Sequence, residues 1–218
     1  MYSQKDPNGI PRHMVVHATY FTLNEMLGMI DEENASGCSA MVDDNYSIFF
    51  DAKGASHNHQ AWPGGYIDHI VDAMNNGIKE YQHDTFLRPG SLQFSLSDLL
   101  LIIFLHDLEK PWKQYATAMG APELLEQFST EEGKHQFRMD KIAEYGIKLT
   151  EYQLNALMHI EGEKGLYSPN KRVQNELAAY CHICDVKGAR VWHQYPLAQD
   201  DPWCGDTGRA NPLSKQTS

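Results

Sequence analysis

His106-Asp107 stands at the end of an unbroken apolar run, Leu99-Leu100-Leu101-Ile102-Ile103-Phe104-Leu105. An imidazole and a carboxylate are costly to place beside such a run unless something satisfies both. A metal cation does that for the two at once. Taken in chain order, the remaining candidate ligands are His69 before the pair, then His135, His159 and Asp185 after it. Four imidazoles and two carboxylates suit borderline divalent ions. Iron and manganese lead, and cobalt, nickel, zinc or magnesium are alternatives. Two ions about 3.5–4 Å apart need a bridging ligand, and a carboxylate supplies two oxygens. Asp107 is the natural bridge, because His106 beside it fixes it near the metals. A lone helical histidine is more often packed or solvated than a ligand, so the ordered set carries the weight. The chemistry implied is metal-assisted hydrolysis, with metal-dependent oxygenation second.

The elements that must position these groups read as helices. Val16, Tyr20, Leu23, Leu27 and Ile30 recur at helical spacing over 15–33. The polar stretch Asp31 to Ser39, with Gly37, reads as a loop, and the aromatic run Tyr46 to Phe50 as a strand or an extended packing segment. Pro63-Gly64-Gly65 is a strong turn signal. A helix follows from about Tyr66, with Ile67, Ile70, Val71, Met74 and Ile78 as its apolar stripe. The next begins near Ser97 as N-cap and runs to about Glu109, where Pro111 ends it. Further helices are predicted at 121–128 and from Glu131 to Tyr145, stopped by Gly146. Thr150 and Gln153 form a capping box for another. The last long helix spans about Pro169 to Trp192, with Ala178, Cys181, Asp185 and Ala189 on one side, small enough for close approach. The expected fold is an all-α, single-domain helical bundle. Its segments are an N-terminal arm, helix and packing segment over 1–56, a metal-binding core over 57–195 and a tail over 196–218.

Composition narrows the partners. A chain of 218 residues fits one domain with a sizeable core. The formal net charge of −11 argues against a grip on long nucleic acid, yet leaves room for a small phosphorylated substrate, since bound metal reverses the local sign. No apolar run approaches the roughly 20 residues of a bilayer span, and the first residues lack the pattern of a signal peptide. Cytoplasmic residence is the expectation. Cys181-x-x-Cys184 has no second pair to complete a structural zinc site, so both read as buried thiols. Homo-oligomerisation stays open.

The motifs resemble the HD-domain superfamily of metal-dependent phosphohydrolases. His57-Asn58-His59-Gln60-Ala61-Trp62-Pro63-Gly64-Gly65-Tyr66-Ile67-Asp68-His69 looks like that family's His-rich, Gly-Gly loop leading to its first ligand. Leu105-His106-Asp107-Leu108-Glu109-Lys110 looks like its name-giving motif, except that Glu109 stands where a glycine usually precedes the lysine. Ile183-Cys184-Asp185 resembles the final aspartate segment, and the stretch from His135 to His159 the region that supplies two further histidines in two-metal members. The match covers about 57–190.

The resemblance implies that His69, His106, Asp107 and Asp185 hold a first metal, and that His135 and His159 hold a second bridged by Asp107. A metal-activated hydroxide would attack phosphorus in a nucleotide-like monoester, triphosphate or cyclic diester. Lys110 is expected to bind a phosphate oxygen as a point charge. His57 and His59 are expected to line the pocket or donate a proton. Trp62 and Tyr66 are candidates to stack on a base, against the competing role of packing the turn. Some members of the family are di-iron oxygenases that cleave C–C or C–P bonds, and that reading stands as the alternative; a non-catalytic module that keeps the fold to bind a nucleotide ranks last, because no ligand is missing from the set.

Overall fold

The computed structural model describes residues 19–163, 166, 168, 170–195 and 203. Among these the architecture is all-α, with one isolated bridge between Ser168 and Lys171. Residues 1–18 of the expected N-terminal segment and nearly all of the expected tail lie outside the described residues.

The centre of the bundle is α5 (Leu96–Leu105). Every residue from Leu99 to Leu105 is buried. A helix that is apolar all round has no solvent face and must be enclosed. It is enclosed by α4 (Gly65–Leu87), α9 (Glu151–His159) and α10 (Glu176–Arg190), with α4 and α10 also packed on each other. The α5 start is a capping box on Ser95, two residues earlier than sequence spacing suggests. The Asp98 carboxylate accepts from Ser95 N and Oγ, each at 2.8 Å. Its other oxygen accepts from Gln153 Nε2 at 2.7 Å, tying α5 to α9. Ser97 is instead buried and accepts a hydrogen bond from Asp31 N at 2.8 Å.

The N-terminal third departs most from its sequence reading. Of the expected helix over 15–33, residues 15–18 lie outside the described residues; within 19–33 the helix is α1 (Leu23–Leu27), started by the Thr22–Glu25 capping box and capped by Gly28. The expected loop 31–39 is the first half of α2 (Glu32–Asp44). Its Gly37 is a packing glycine: a Cβ there would stand 2.5 Å from Tyr145 O and 2.9 Å from Ile147 Cγ1. The 46–50 run is not a strand but α3 (Tyr46–Asp51), which finds no strand to pair with and instead buries Phe49 against Tyr66, Trp112 and Phe104, ring centroids 5.6, 5.3 and 6.4 Å away. These residues join one hydrophobic core with α4, α5, α9 and α10.

After α5 the chain turns through His106-Asp107-Leu108 into α6 (Glu109–Met119). Pro111 therefore sits in the first turn of a new helix, where its missing N–H costs nothing, rather than after the end of a longer one. α7 (Pro122–Gln127) and α8 (Glu131–Glu144) follow. The Thr150–Gln153 capping box starts α9 as the sequence indicates. α10 begins later than expected because Asn175 caps it, its Oδ1 accepting from Ala178 N at 2.8 Å while its Nδ2 donates to Tyr152 O at 2.7 Å.

Candidate metal centre

Each ligand candidate is delivered by a different part of the bundle. His69 lies in α4, one turn past the tight Gly64-Gly65 entry, and is fully buried. His106 is the C-cap of α5, and Asp107 follows it in the turn. Asp185 comes from α10. Gly188, one turn beyond Asp185, brings that helix onto the His69 ring: a Cβ there would meet His69 Nδ1 at 3.5 Å. Ala178 and Cys181 are buried on the α10 packing side as expected of small residues, but Gly188 rather than Ala189 makes the close approach to His69.

One ligand atom from each of His69, His106 and Asp185 lies within 4.8 Å of the others, the arrangement of a cation site. His69 Nε2 is 3.0 Å from Asp185 Oδ1 and 3.9 Å from Asp107 Oδ2. His106 Nε2 is 3.1 Å from Asp107 Oδ2 and 3.6 Å from Asp185 Oδ1. Yet neither Nε2 has an aligned hydrogen-bond partner, and both are buried. Two buried imidazole nitrogens without aligned partners, facing two carboxylates, fit a divalent ion of the zinc, iron or manganese kind, which would displace any proton on them. The His106 ring is already oriented for such a role, because its Nδ1 lies 2.7 Å from Ile103 O, which leaves Nε2 toward the cluster.

The electrostatics follow from crowding. Burial opposes a charge on His106, but Asp107 and Asp185 beside it win and raise its pKa to about 10. Burial likewise opposes ionised Asp107 and Asp185. The two histidines, with Lys110 acting on Asp107, outweigh it and hold both carboxyls far below the usual range. The Lys110 ammonium pairs with Asp107 Oδ2, which keeps it charged despite burial. Its side chain retains 33 % exposure, so the cation can still be reached.

Glu109 of the motif has a partner that spacing alone did not show. Glu109 is 5 % exposed and its carboxyl is pushed up by burial, an effect that Arg138 partly offsets. Arg138 Nη1 donates to Glu109 Oε2 and to His106 O, each at 3.1 Å. Glu109 is thus matched by an arginine from α8 that also donates to the backbone of His106, a candidate ligand. Nothing in the sequence marked Arg138, which lies one turn from His135 on a mostly polar helix.

The loop over 52–64 brings His59 to the cluster. The His59 ring centroid is 4.8 Å from that of His69, and its Nε2 is buried without a hydrogen bond. Burial first, then the neighbouring His69 and Lys110, lower its pKa to about 4, so the ring is neutral near pH 7. Gln60 anchors this loop at φ 37°. Its N–H donates to His193 O at 2.9 Å and its Nε2 to Trp192 O at 3.1 Å. His57 is exposed in the same loop.

Of the two roles open to Trp62 and Tyr66, stacking on a base or packing the turn, their burial favours packing. Trp62 is buried and donates from Nε1 to Asp68 Oδ2 at 2.7 Å, which pins the turn. Tyr66 is wholly buried against Phe49, its phenol pushed up by burial and by Asp107 and Glu109. His135 and His159 are half-buried and line a separate cavity of about 320 Å³ with Arg138, Leu157, Met158 and Ile160. They meet there, while the three-residue cluster consists of His69, His106 and Asp185.

Cys181 and Cys184 are free and buried, and burial raises both thiols, Cys184 to about 12. They are packing residues, as sequence suggested. Among the described residues no helix is long and apolar enough to cross a membrane. No protein-family model, curated protein or solved structure matches this chain.

Proposed function

We propose that this chain is a metal-dependent phosphohydrolase of the HD-domain type, acting on a small phosphorylated substrate of the nucleotide class. The observation that carries this reading is the convergence of His69, His106 and Asp185 from three separate helices beside a charged lysine. When bound by these three residues, a divalent ion supplies a water acidified toward neutral pH and positive charge for the phosphoryl oxygens. Asp107 orients the cluster by facing both His69 and His106. Lys110, held ionised by Asp107 and partly exposed, binds a phosphate oxygen as a second positive charge. His59, neutral and against His69, offers its Nε2 to a hydrogen bond with the attacking or leaving oxygen.

The test is metal analysis of the purified protein, then phosphate release from a panel of nucleotides, cyclic dinucleotides and bis-p-nitrophenyl phosphate. Metal-dependent release, lost on chelation and restored by Mn²⁺ or Fe²⁺, is the expected result. Full activity after chelation defeats the reading, as does silence across the panel in metal-loaded protein. Two metal equivalents extend the centre to His135 and His159, whereas one confines it to the His69 cluster. Oxygen consumption during turnover would move the chain to the oxygenase class.

A further inference from the structure

Gln60 is fully buried and holds φ at 37°, a left-handed conformation that a glutamine rarely adopts. Such strain persists only where the surroundings over-determine it. Here they do. The Gln60 N–H donates to His193 O at 2.9 Å, and its Nε2 lies 3.1 Å from Trp192 O and 3.3 Å from Tyr195 O. All three acceptors belong to the short turn over 192–195, just past the end of α10 at Arg190. The neighbouring His59 therefore sits against His69 only as firmly as that turn is held.

What holds the turn is a run of aromatic contacts. The Trp192 ring meets Tyr195 edge-on at 4.7 Å and Trp203 at 5.7 Å between centroids. Trp203 in turn meets Tyr20 edge-on at 5.0 Å and carries the Lys79 ammonium 5.8 Å from its ring centre. Both of these neighbours are fixed to α4. Phe21, next to Tyr20, exchanges hydrogen bonds of 2.7 and 2.8 Å with the buried Asn75 side chain of that helix, and Lys79 lies on the helix itself. The indole of Trp203 thus stands between Trp192 and a wall attached to the helix that carries His69. We propose that Trp203 is a positioning residue: its indole braces the 192–195 turn, whose carbonyls hold Gln60, and so keeps His59 against His69. The bracing stands on these contacts, while its consequence for turnover rests on the phosphohydrolase reading.

The test is amide hydrogen exchange on the full chain for wild type, Trp203→Ala and Trp203→Phe, with hydrolysis of bis-p-nitrophenyl phosphate by the metal-loaded protein alongside. Trp203→Ala should exchange about tenfold faster over 54–62, where the Gly54 and Gln60 N–H groups are tied down, and over 192–195, with α5 unchanged. Its kcat should fall about tenfold at an unchanged KM, because His59 faces the reacting oxygens rather than the rest of the substrate. Trp203→Phe keeps a ring edge for both aromatic neighbours and should bring exchange and kcat back to within about threefold of wild type. Wild-type exchange over 54–62 in Trp203→Ala overturns the proposal. So does acceleration spread equally through α5, which marks a general loss of stability. Faster exchange in the loop with kcat intact overturns the positioning of His59. A wild-type chain with no turnover defeats the phosphohydrolase reading, and the exchange result then decides the bracing by itself. If Trp203→Ala does not fold, Trp203→Leu takes its place under the same criteria.

Discussion

Replacing Arg138 with methionine isolates how the bundle supports its ligand turn. Arg138 Nη1 donates to Glu109 Oε2 and His106 O, and the two side chains are 12 % and 6 % exposed. The substitution keeps much of the side-chain volume but leaves the Glu109 carboxylate enclosed and unpaired. Breaking one side of a buried pair costs about 3–5 kcal/mol. Glu109 limits this loss by taking up a proton, which fixes the pH dependence. Its folded pKa is already raised above the unfolded value of about 4.3. An acid raised on folding costs stability as pH climbs from the unfolded toward the folded value, and removing Arg138 moves the folded value higher still. At pH 5 only about 0.7 pH unit has been crossed, so the charge penalty stays below about 1 kcal/mol. The lost hydrogen bond to His106 O adds about 1 kcal/mol at any pH. Urea denaturation of Arg138→Met should thus show a loss of about 1–2 kcal/mol at pH 5 and about 3–5 kcal/mol at pH 8. Adding Glu109→Gln should recover about 2 kcal/mol or more at pH 8, as a coupled pair does. Equal losses at the two pH values, or additivity of the two substitutions, would refute the pairing.

Three further outcomes concern the site. His106→Ala and Asp107→Ala should each lower phosphate release about 10³-fold, in line with loss of a charge-stabilising group, while far-ultraviolet dichroism stays helical; undiminished rates remove the motif from the chemistry. Lys110→Ala should reduce kcat/KM about 10- to 100-fold for phosphorylated substrates, and an unchanged value assigns the lysine to structure. Gly65→Ala would place a Cβ 1.8 Å from Gln60 O, and the forced shift of the His59 loop should lower kcat about 10²-fold. A crystal structure of that variant with Gln60 and His59 in place would sink the account of the loop.

The parts of the fold legible in sequence are those where one local signal has one structural meaning. The uninterrupted run Leu99 to Leu105 leaves no solvent face, so a central buried helix follows from composition alone, whereas its end at His106, short of the expected Glu109, does not. The Thr150–Gln153 box marks its helix start by side-chain chemistry. The α4 stripe and the late aspartate helix are equally direct, and they bring His69 and Asp185 to the His106 turn. What stayed hidden depends on distant partners. Gly37 looks like a loop breaker until Tyr145 O is found against it. Aromatic residues read alike as surface or core, so Phe49, Trp62 and Tyr66 are sorted only by packing. Arg138 gains its meaning from Glu109, a residue on another helix. His135 and His159 follow the order of a two-metal set, and the structure gathers them around their own cavity.

The Gln60 clamp ties the His59 loop to the backbone just past α10, the same helix that supplies Asp185. During synthesis, the histidines of α4 and α5 emerge well before that helix exists. A nascent chain therefore carries an open, two-imidazole half-site whose loop has nothing to hold it. Docking of the final helix closes both defects in a single event, so cation uptake would report complete folding rather than accompany its early stages.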